Sequence, residues 1–194
     1  MKQEFKHLKV VEIASVLAGP SVGLFFAELG AQVTKVENKK SGGDVTRSWK
    51  LPTENKKASI SAYYAAVNWR KKSVFMDLTD ASDQRQLNEL LLAADILIVN
   101  FKAGDAEKFN LDYETLKTLS PNLIYAEITG FGHESDRVAY DLILQAESGF
   151  MSMNGTAGSG PVKMPVALID LLAGHQLKAG ILTALYQRDA AQKG

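Results

Sequence analysis

Cysteine is absent from this 194-residue sequence, which excludes disulfide cross-links, thiolate metal sites and a cysteine nucleophile. The absence suits a reducing compartment, and a cytoplasmic location is the expectation. Excess charge of one sign is also missing: 22 Lys and Arg balance 22 Asp and Glu. That balance removes any whole-molecule case for nucleic acid or an anionic membrane, so a bound anion must be held by a local patch. Histidine is scarce, and His7, His133 and His175 lie far apart without metal-ligand spacing, so no metal is expected. Ser15, Ser148 and Ser152 lack the elbow context of an esterase nucleophile. The glycine turn "AGPSVG" is not GxGxxG and carries no Walker lysine, which leaves it as a tight turn. No repeat or low-complexity tract is present. The apolar N-terminal stretch "VVEIASVLAGPSVGLFFAELGA" is interrupted by Glu12, Pro20 and Glu28, so neither a signal peptide nor a membrane span is expected.

What is there reads as a globular α/β chain of one ordinary domain or a little more, with 46% hydrophobic and 23% charged residues. "LKVVEIA" is a short β-rich run, "AGPSVGLFFAELGA" a helix opened by a Gly-Pro turn, and "QVTKVE" a second strand. This strand, helix, strand order begins a doubly wound sheet, because parallel neighbours need a crossover. The polar segment from Asn38 to Ile60 reads as a long surface excursion. "SVFMDL", "ILIVN" and "LIYAEITGFG" continue as strands; "SDQRQLNELLLAAD", with Ser82 as a candidate cap, and "DYETLKTL" are helices between them. The uninterrupted apolar run of "ILIVN" suits a sheet covered on both faces. From "YDLILQAESGFMSM" onward the pattern is helical, broken by "NGTAGSGP". The fold class is therefore α/β, a mostly parallel Rossmann-like sheet flanked by helices.

Such sheets place ligands in the crevice beyond the carboxyl ends of their strands. The ends available are "ASVLAGP", "VENKK", "VNFKAG" and "TGFGHE", and Lys39, Lys40, Lys102, Lys108 and Arg137 lie on or near them. Each base alone is ordinary solvated charge, whereas a shared edge would make an anion site. Asp170 stands inside the apolar run "PVALIDLLAG" near the start of a long helix. A carboxylate there is either a favourable partner of the helix N-terminus or a group retained for chemistry, and residue pattern alone leaves both open.

The order of "VVEIASVLAGPSVGLFFAELGAQVTKVE", "NWRKKSVFMDL", "ADILIVNFKAG", "LIYAEITGFG", "YDLILQAESGFMSM" and "PVALIDLLAG" resembles the class III coenzyme A transferases, which include formyl-CoA and carnitine CoA-transferases. The resemblance implies that Asp170 is the nucleophile of a CoA transfer from an acyl-CoA to a carboxylic acid through a covalent aspartyl intermediate. It implies that coenzyme A is substrate and product and that no metal takes part. Val16 and Leu17 fall at positions lining the pocket around the thiol arm and acyl group, and Met76 at an adenine contact. Asn100 and Phe101 fall where the family holds CoA, and Lys108 and Arg137 at basic contacts to it, the latter beside Tyr140.

Departures narrow the substrate. Leu17 replaces a glutamine of formyl-CoA transferase, which makes oxalate and formate poor candidates. Asn38 and Thr79 replace an arginine and a lysine, with Lys39 and Lys40 nearby to compensate. The related 2-methylacyl-CoA racemases carry a histidine where this chain has Tyr140, so tyrosine there favours transfer. By the resemblance, residues 1–194 are the N-terminal part of the large CoA-binding domain, without the small domain and C-terminal return segment. The complete protein is then expected to be an interlocked homodimer with no nucleic-acid or membrane partner. The piece alone is expected to be inactive, and a silent CoA-binding or assembly role is the alternative of another class.

Overall fold

The structure, a computed structural model, describes residues 4–191. Five parallel strands form the sheet: β1 (Lys9–Ile13), β2 (Gln32–Asn38), β3 (Lys72–Met76), β4 (Ile96–Val99) and β5 (Ile124–Glu127). Their spatial order is β3-β2-β1-β4-β5, so the chain runs outward from β1 in one direction and then restarts beside it with β4. That reversal is the switch point of a doubly wound sheet. The expected α/β class and the parallel sheet are what the structure shows.

Alternation along the strands divides the core in two. Val10, Val33, Ile96, Ile98 and Ala126 face the first layer of helices, α1 (Ala18–Glu28) and α7 (Leu168–Ala191), through Val22, Phe26, Ile181 and Leu185. Val11, Val36, Leu97 and Val99 face the second, formed by α3 (Ala81–Leu92) and α5 (Tyr113–Leu119), through Leu87, Leu91 and Leu116. All four residues of β4 are buried, as its continuous apolar run requires of a central strand. Three shorter helices complete the described chain: α2 (Ala62–Asn68), α4 (Asp105–Lys108) and α6 (Asp141–Glu147). The glycine-rich loop after α6 closes as a small hairpin, β6 (Gly155–Thr156) with β7 (Gly160–Pro161). The cap of α3 is Asp80, whose carboxylate accepts from Ser82 and Asp83 N–H, so Ser82 is a recipient of the cap.

Two features of the glycine turn and the polar excursion depart from expectation. Gly23 lies inside α1, where a Cβ would stand 1.8 Å from Glu12 Oε2, so glycine serves there to let a buried carboxylate approach the helix. The excursion between β2 and α2 returns beneath the sheet edge and buries Asp44, Thr46 and Ser61. The reason is charge. Glu12 of β1 and Lys35 of β2 are adjacent in register and 0% exposed, and Lys35 Nζ lies 2.9 Å from Glu12 Oε1 and 3.1 Å from Asp44 Oδ2. Lys71 Nζ donates to the other Glu12 oxygen, Oε2, at 2.7 Å. A second set forms around Glu37, which accepts from Arg47, Tyr64 Oη, Ser73 Oγ and the Asp44 N–H.

α7 is long and apolar enough to cross a membrane by length and composition, yet Ile181 and Leu185 pack into the sheet core. Its outward face leaves Leu171, Leu172, Leu182 and Tyr186 exposed.

Replacing Lys35 with Met leaves Glu12 and Asp44 short of their shared cation, and a loss of about 3–5 kcal/mol in urea denaturation is expected, against under about 0.5 kcal/mol for exposed Lys72→Met. Burial would raise the Glu37 carboxyl, but the bonds from Arg47 and the Asp44 N–H outweigh it and hold the group at about 2, against an ordinary 4.5. Because the folded value is depressed, its stabilisation is present above pH 4.5 and is lost as pH falls toward about 2. Glu37→Gln should therefore flatten the acid limb of the stability curve over that interval.

Candidate active site

A cleft of about 700 Å³ opens at the carboxyl edge of the sheet, over the switch point between β1 and β4. Its walls come from the ends of β1 (Ser15, Val16), β4 (Asn100 to Gly104) and β5 (Ile128 to His133), and from the segment that leads into α6. Asp170, in the first turn of α7, closes it. Three of the four expected strand ends meet there. The fourth, after β2, is instead held to β3, with Lys40 Nζ paired to Asp77 at 2.9 Å and bonded to Thr79 Oγ1 at 2.7 Å.

The floor of the cleft is fixed by side chains bonding to backbone. Asn100 receives the Ser15 N–H at 3.0 Å and donates to the Ser15 carbonyl at 2.9 Å, tying the end of β4 to the end of β1. Lys35 Nζ donates to the Ala14 carbonyl at 2.6 Å, and the Val16 N–H points at the Asp44 carboxylate, 3.2 Å from Oδ2. Val16 has φ +70°, a left-handed conformation that a β-branched side chain adopts only under constraint.

Asp170 is placed by α6. Gln145, fully buried, donates to Asp141 Oδ2 at 2.5 Å and to the Val166 carbonyl at 3.1 Å, and accepts the Met164 N–H at 2.8 Å. Asp141 Oδ1 in turn accepts the N–H of Ile169 at 2.7 Å and of Asp170 at 3.2 Å. Asp141 is thus the acidic cap of α7, and these two N–H groups are already taken. The helix start does not offer them to a developing oxyanion, contrary to what an Asp170 near a helix terminus suggests. Burial first, and the Asp141 charge second, push the Asp170 carboxyl from 3.8 up to about 6. The same charges reach Tyr63 of α2, whose phenol is raised by burial and then by Asp170, Asp141 and Asp44.

The structure brings Val16, Asn100, Phe101, Arg137, Tyr140 and Asp170 to one cleft. Leu17 caps α1 through its backbone and is outside the lining. Met76 points into the second core layer with Val36 and Leu87, because β3 alternates it inward, and it is 4% exposed. Lys108 lies outside the lining too, with its ammonium 5.0 Å from the centre of the Phe109 ring. Arg137 pairs with Glu147 and stacks on Phe131, its guanidinium 3.9 Å from the ring centre. Tyr140 is 58% exposed, its phenol free to meet a ligand. Pattern reasoning missed Asp44, Asp141, Gln145 and Tyr63; only the position of Asp141, directly after Tyr140 and at a helix start, was a usable signal.

A raised carboxyl favours the protonated folded state, so its contribution is full below pH 3.8 and lost as pH rises through about 6. Asp170→Asn should accordingly stabilise the protein at pH 7–8, by on the order of 1 kcal/mol once solvent screening is allowed for, and not below pH 3.8. Thermal denaturation across that range is the check.

The chain matches CoA-transferase family III over residues 5–194. A succinate–glutarate CoA-transferase of Agrobacterium fabrum is 40% identical over 190 residues, covering 95% of this chain and 47% of that protein. A succinyl-CoA:mesaconate CoA-transferase of Haloarcula hispanica is 35% identical, covering 96% and 49%. Among solved structures, a CAIB/BAIF family protein from Brucella suis superposes with a TM-score of 0.86 at 39% identity, covering 96% of this chain and 50% of that one. The chain spans about half the length of the curated relatives it matches.

Proposed function

The chain belongs to CoA-transferase family III, and from that premise we propose that the complete protein moves CoA between an acyl-CoA and a carboxylic acid with Asp170 as nucleophile. The observation that carries this is a carboxylate lining a strand-end cleft, held at about 6 by burial and by Asp141. Such a group is ionised at neutral pH yet more basic than an ordinary aspartate, which suits nucleophilic attack.

The Asp170 carboxylate attacks the thioester carbonyl, forming a mixed anhydride as the carbon–sulfur bond breaks and CoA leaves as thiolate. The thiolate attacks the aspartyl carbonyl of the anhydride, expelling the donor acid and leaving an aspartyl-CoA thioester. The acceptor carboxylate repeats the two steps in reverse order and departs as the new acyl-CoA, restoring Asp170. Each step has a good leaving group, and no proton or metal is consumed. Val16 and Tyr140 flank the reacting end, and Asn100 and Phe101 line the path for CoA. Lys102 and Arg137 are the cleft cations suited to its phosphates, where charge-assisted bonds are strongest. The named relatives act on succinate, glutarate and mesaconate, so small dicarboxylates are the proposed acids. Tyr140 stands where the racemases carry a histidine, which disfavours racemisation. The exposed apolar face of α7 and the half-length match support a second half and a second copy that complete the site.

The test is to incubate the complete protein with succinyl-CoA and follow it by mass spectrometry. A hydroxylamine-sensitive adduct on Asp170 is expected, absent in Asp170→Asn, and normal turnover by that variant would remove the covalent route. The rate should fall below about pH 6 as Asp170 protonates. For CoA binding, Arg137→Ala should weaken affinity by about 1.5–3 kcal/mol, and Lys108→Ala by under about 0.5 kcal/mol, measured by calorimetry.

A further inference from the structure

The floor of the cleft at the end of β1 is not held by the sheet ladder. From Ala14 to Val16 the chain has left β1, and side chains from three other elements take its backbone groups. Lys35 of β2 holds the Ala14 carbonyl, Asn100 holds both polar groups of Ser15, and Asp44 of the loop after β2 receives the Val16 N–H. Asp44 is itself anchored by the Thr46 N–H at 3.0 Å, the Thr46 hydroxyl at 2.7 Å and Lys35 Nζ at 3.1 Å, with its side chain 1% exposed. Lys35 is fixed by Glu12, and Glu12 by Lys71, which also bonds the Pro20 carbonyl at the start of α1.

Val16 is where this matters. Among the described residues, only it, Arg70 and Asn110 combine a side chain with positive φ, and Val16 alone of these is β-branched and lines the cleft. A free valine leaves that conformation at once, since it costs roughly 1–3 kcal/mol. Its N–H is received by a buried carboxylate, Asp44 Oδ2 at 3.2 Å.

We propose that Asp44, fixed by Lys35, is a positioning residue that clamps Val16 in its strained conformation and so sets the shape of the floor of the cleft that Asp170 also lines. The proposal rests on the CoA-transfer reading for its effect on rate, but not for the clamp itself. Asp44 touches no reacting atom; it acts through the Val16 backbone. Removing it releases Val16 toward negative φ and moves its side chain relative to the nucleophile, an error of the kind that lowers turnover more than binding.

The experiment uses the complete protein with Asp44→Ala and Asp44→Asn, each alone and combined with Val16→Gly. Glycine adopts φ +70° without strain, so the clamp is needed less in its presence. With Val16 present, Asp44→Ala should lower kcat about tenfold with KM changed under about threefold, and Asp44→Asn, which keeps an acceptor, should lose less. In the Val16→Gly background the same Asp44 substitutions should cost under about threefold. Hydrogen exchange at the Val16 amide should accelerate about tenfold in Asp44→Ala. Equal losses in both backgrounds, or unchanged Val16 exchange in a folded variant, would overturn the clamp. If Asp44→Ala does not fold, the Asn series is read by the same criteria. A wild type that exchanges as expected but transfers no CoA would defeat the proposed function and leave the clamp standing.

Discussion

Glu12 and Lys35 sit side by side at the middle of a parallel sheet, fully out of water, and such a pair is tolerated only when its remaining oxygens and ammonium protons find partners. Satisfying them draws in distant parts of the chain. Asp44 must come back from the excursion after β2, Lys71 must reach in from the turn before β3, and α1 must carry glycine at position 23 to let the Glu12 carboxylate pass. Burial would strip Lys35 of its proton, but the two carboxylates outweigh it and hold the ammonium above its ordinary value. One ion cluster therefore fixes the path of a loop, the packing of a helix and the end of the central strand. The cleft is built on what that cluster holds in place.

The other wall follows a similar logic with different groups. Gln145 is buried, so each of its polar atoms must be matched, and its partners are Asp141 and the segment that enters α7. Asp141 then caps α7, and the nearby negative charge combines with burial to make Asp170 reluctant to ionise. Asp141 thus fixes the position of Asp170 and adds to the basicity that burial gives it. A carboxylate that satisfied its own helix terminus would be quiet; here a second carboxylate has taken that role.

The surface complements this interior. One face of α7 packs on the sheet, while Leu171, Leu172, Leu182 and Tyr186 on its outer side stay in water, an arrangement that a 24-residue apolar helix ordinarily avoids by finding a partner. The same helix begins at the cleft, with Asp170 in its first turn.

Periodicity and turn chemistry determined much of this protein without help. The five strands, the crossover helices α1, α3 and α5, the parallel character of the sheet and the carboxyl-edge crevice all follow from local pattern, because apolar alternation and Gly or Pro punctuation act within a few residues. Motif order also singled out Asp170, Asn100 and Arg137, which share the cleft. Tertiary structure decided the rest. The polar run from Asn38 to Ile60 reads as solvated loop because Asp44 and Thr46 look like any surface residues until Lys35 is known to lie beneath them. Met76 faces the core and Lys108 the solvent because strand pleat and helix rotation, not residue type, set where a side chain points. The positive φ of Val16 and the basicity of Asp170 lie beyond any pattern, since Asp44, 28 residues from the one, and the burial and Asp141 carboxylate, 29 residues from the other, are set in place only by the fold.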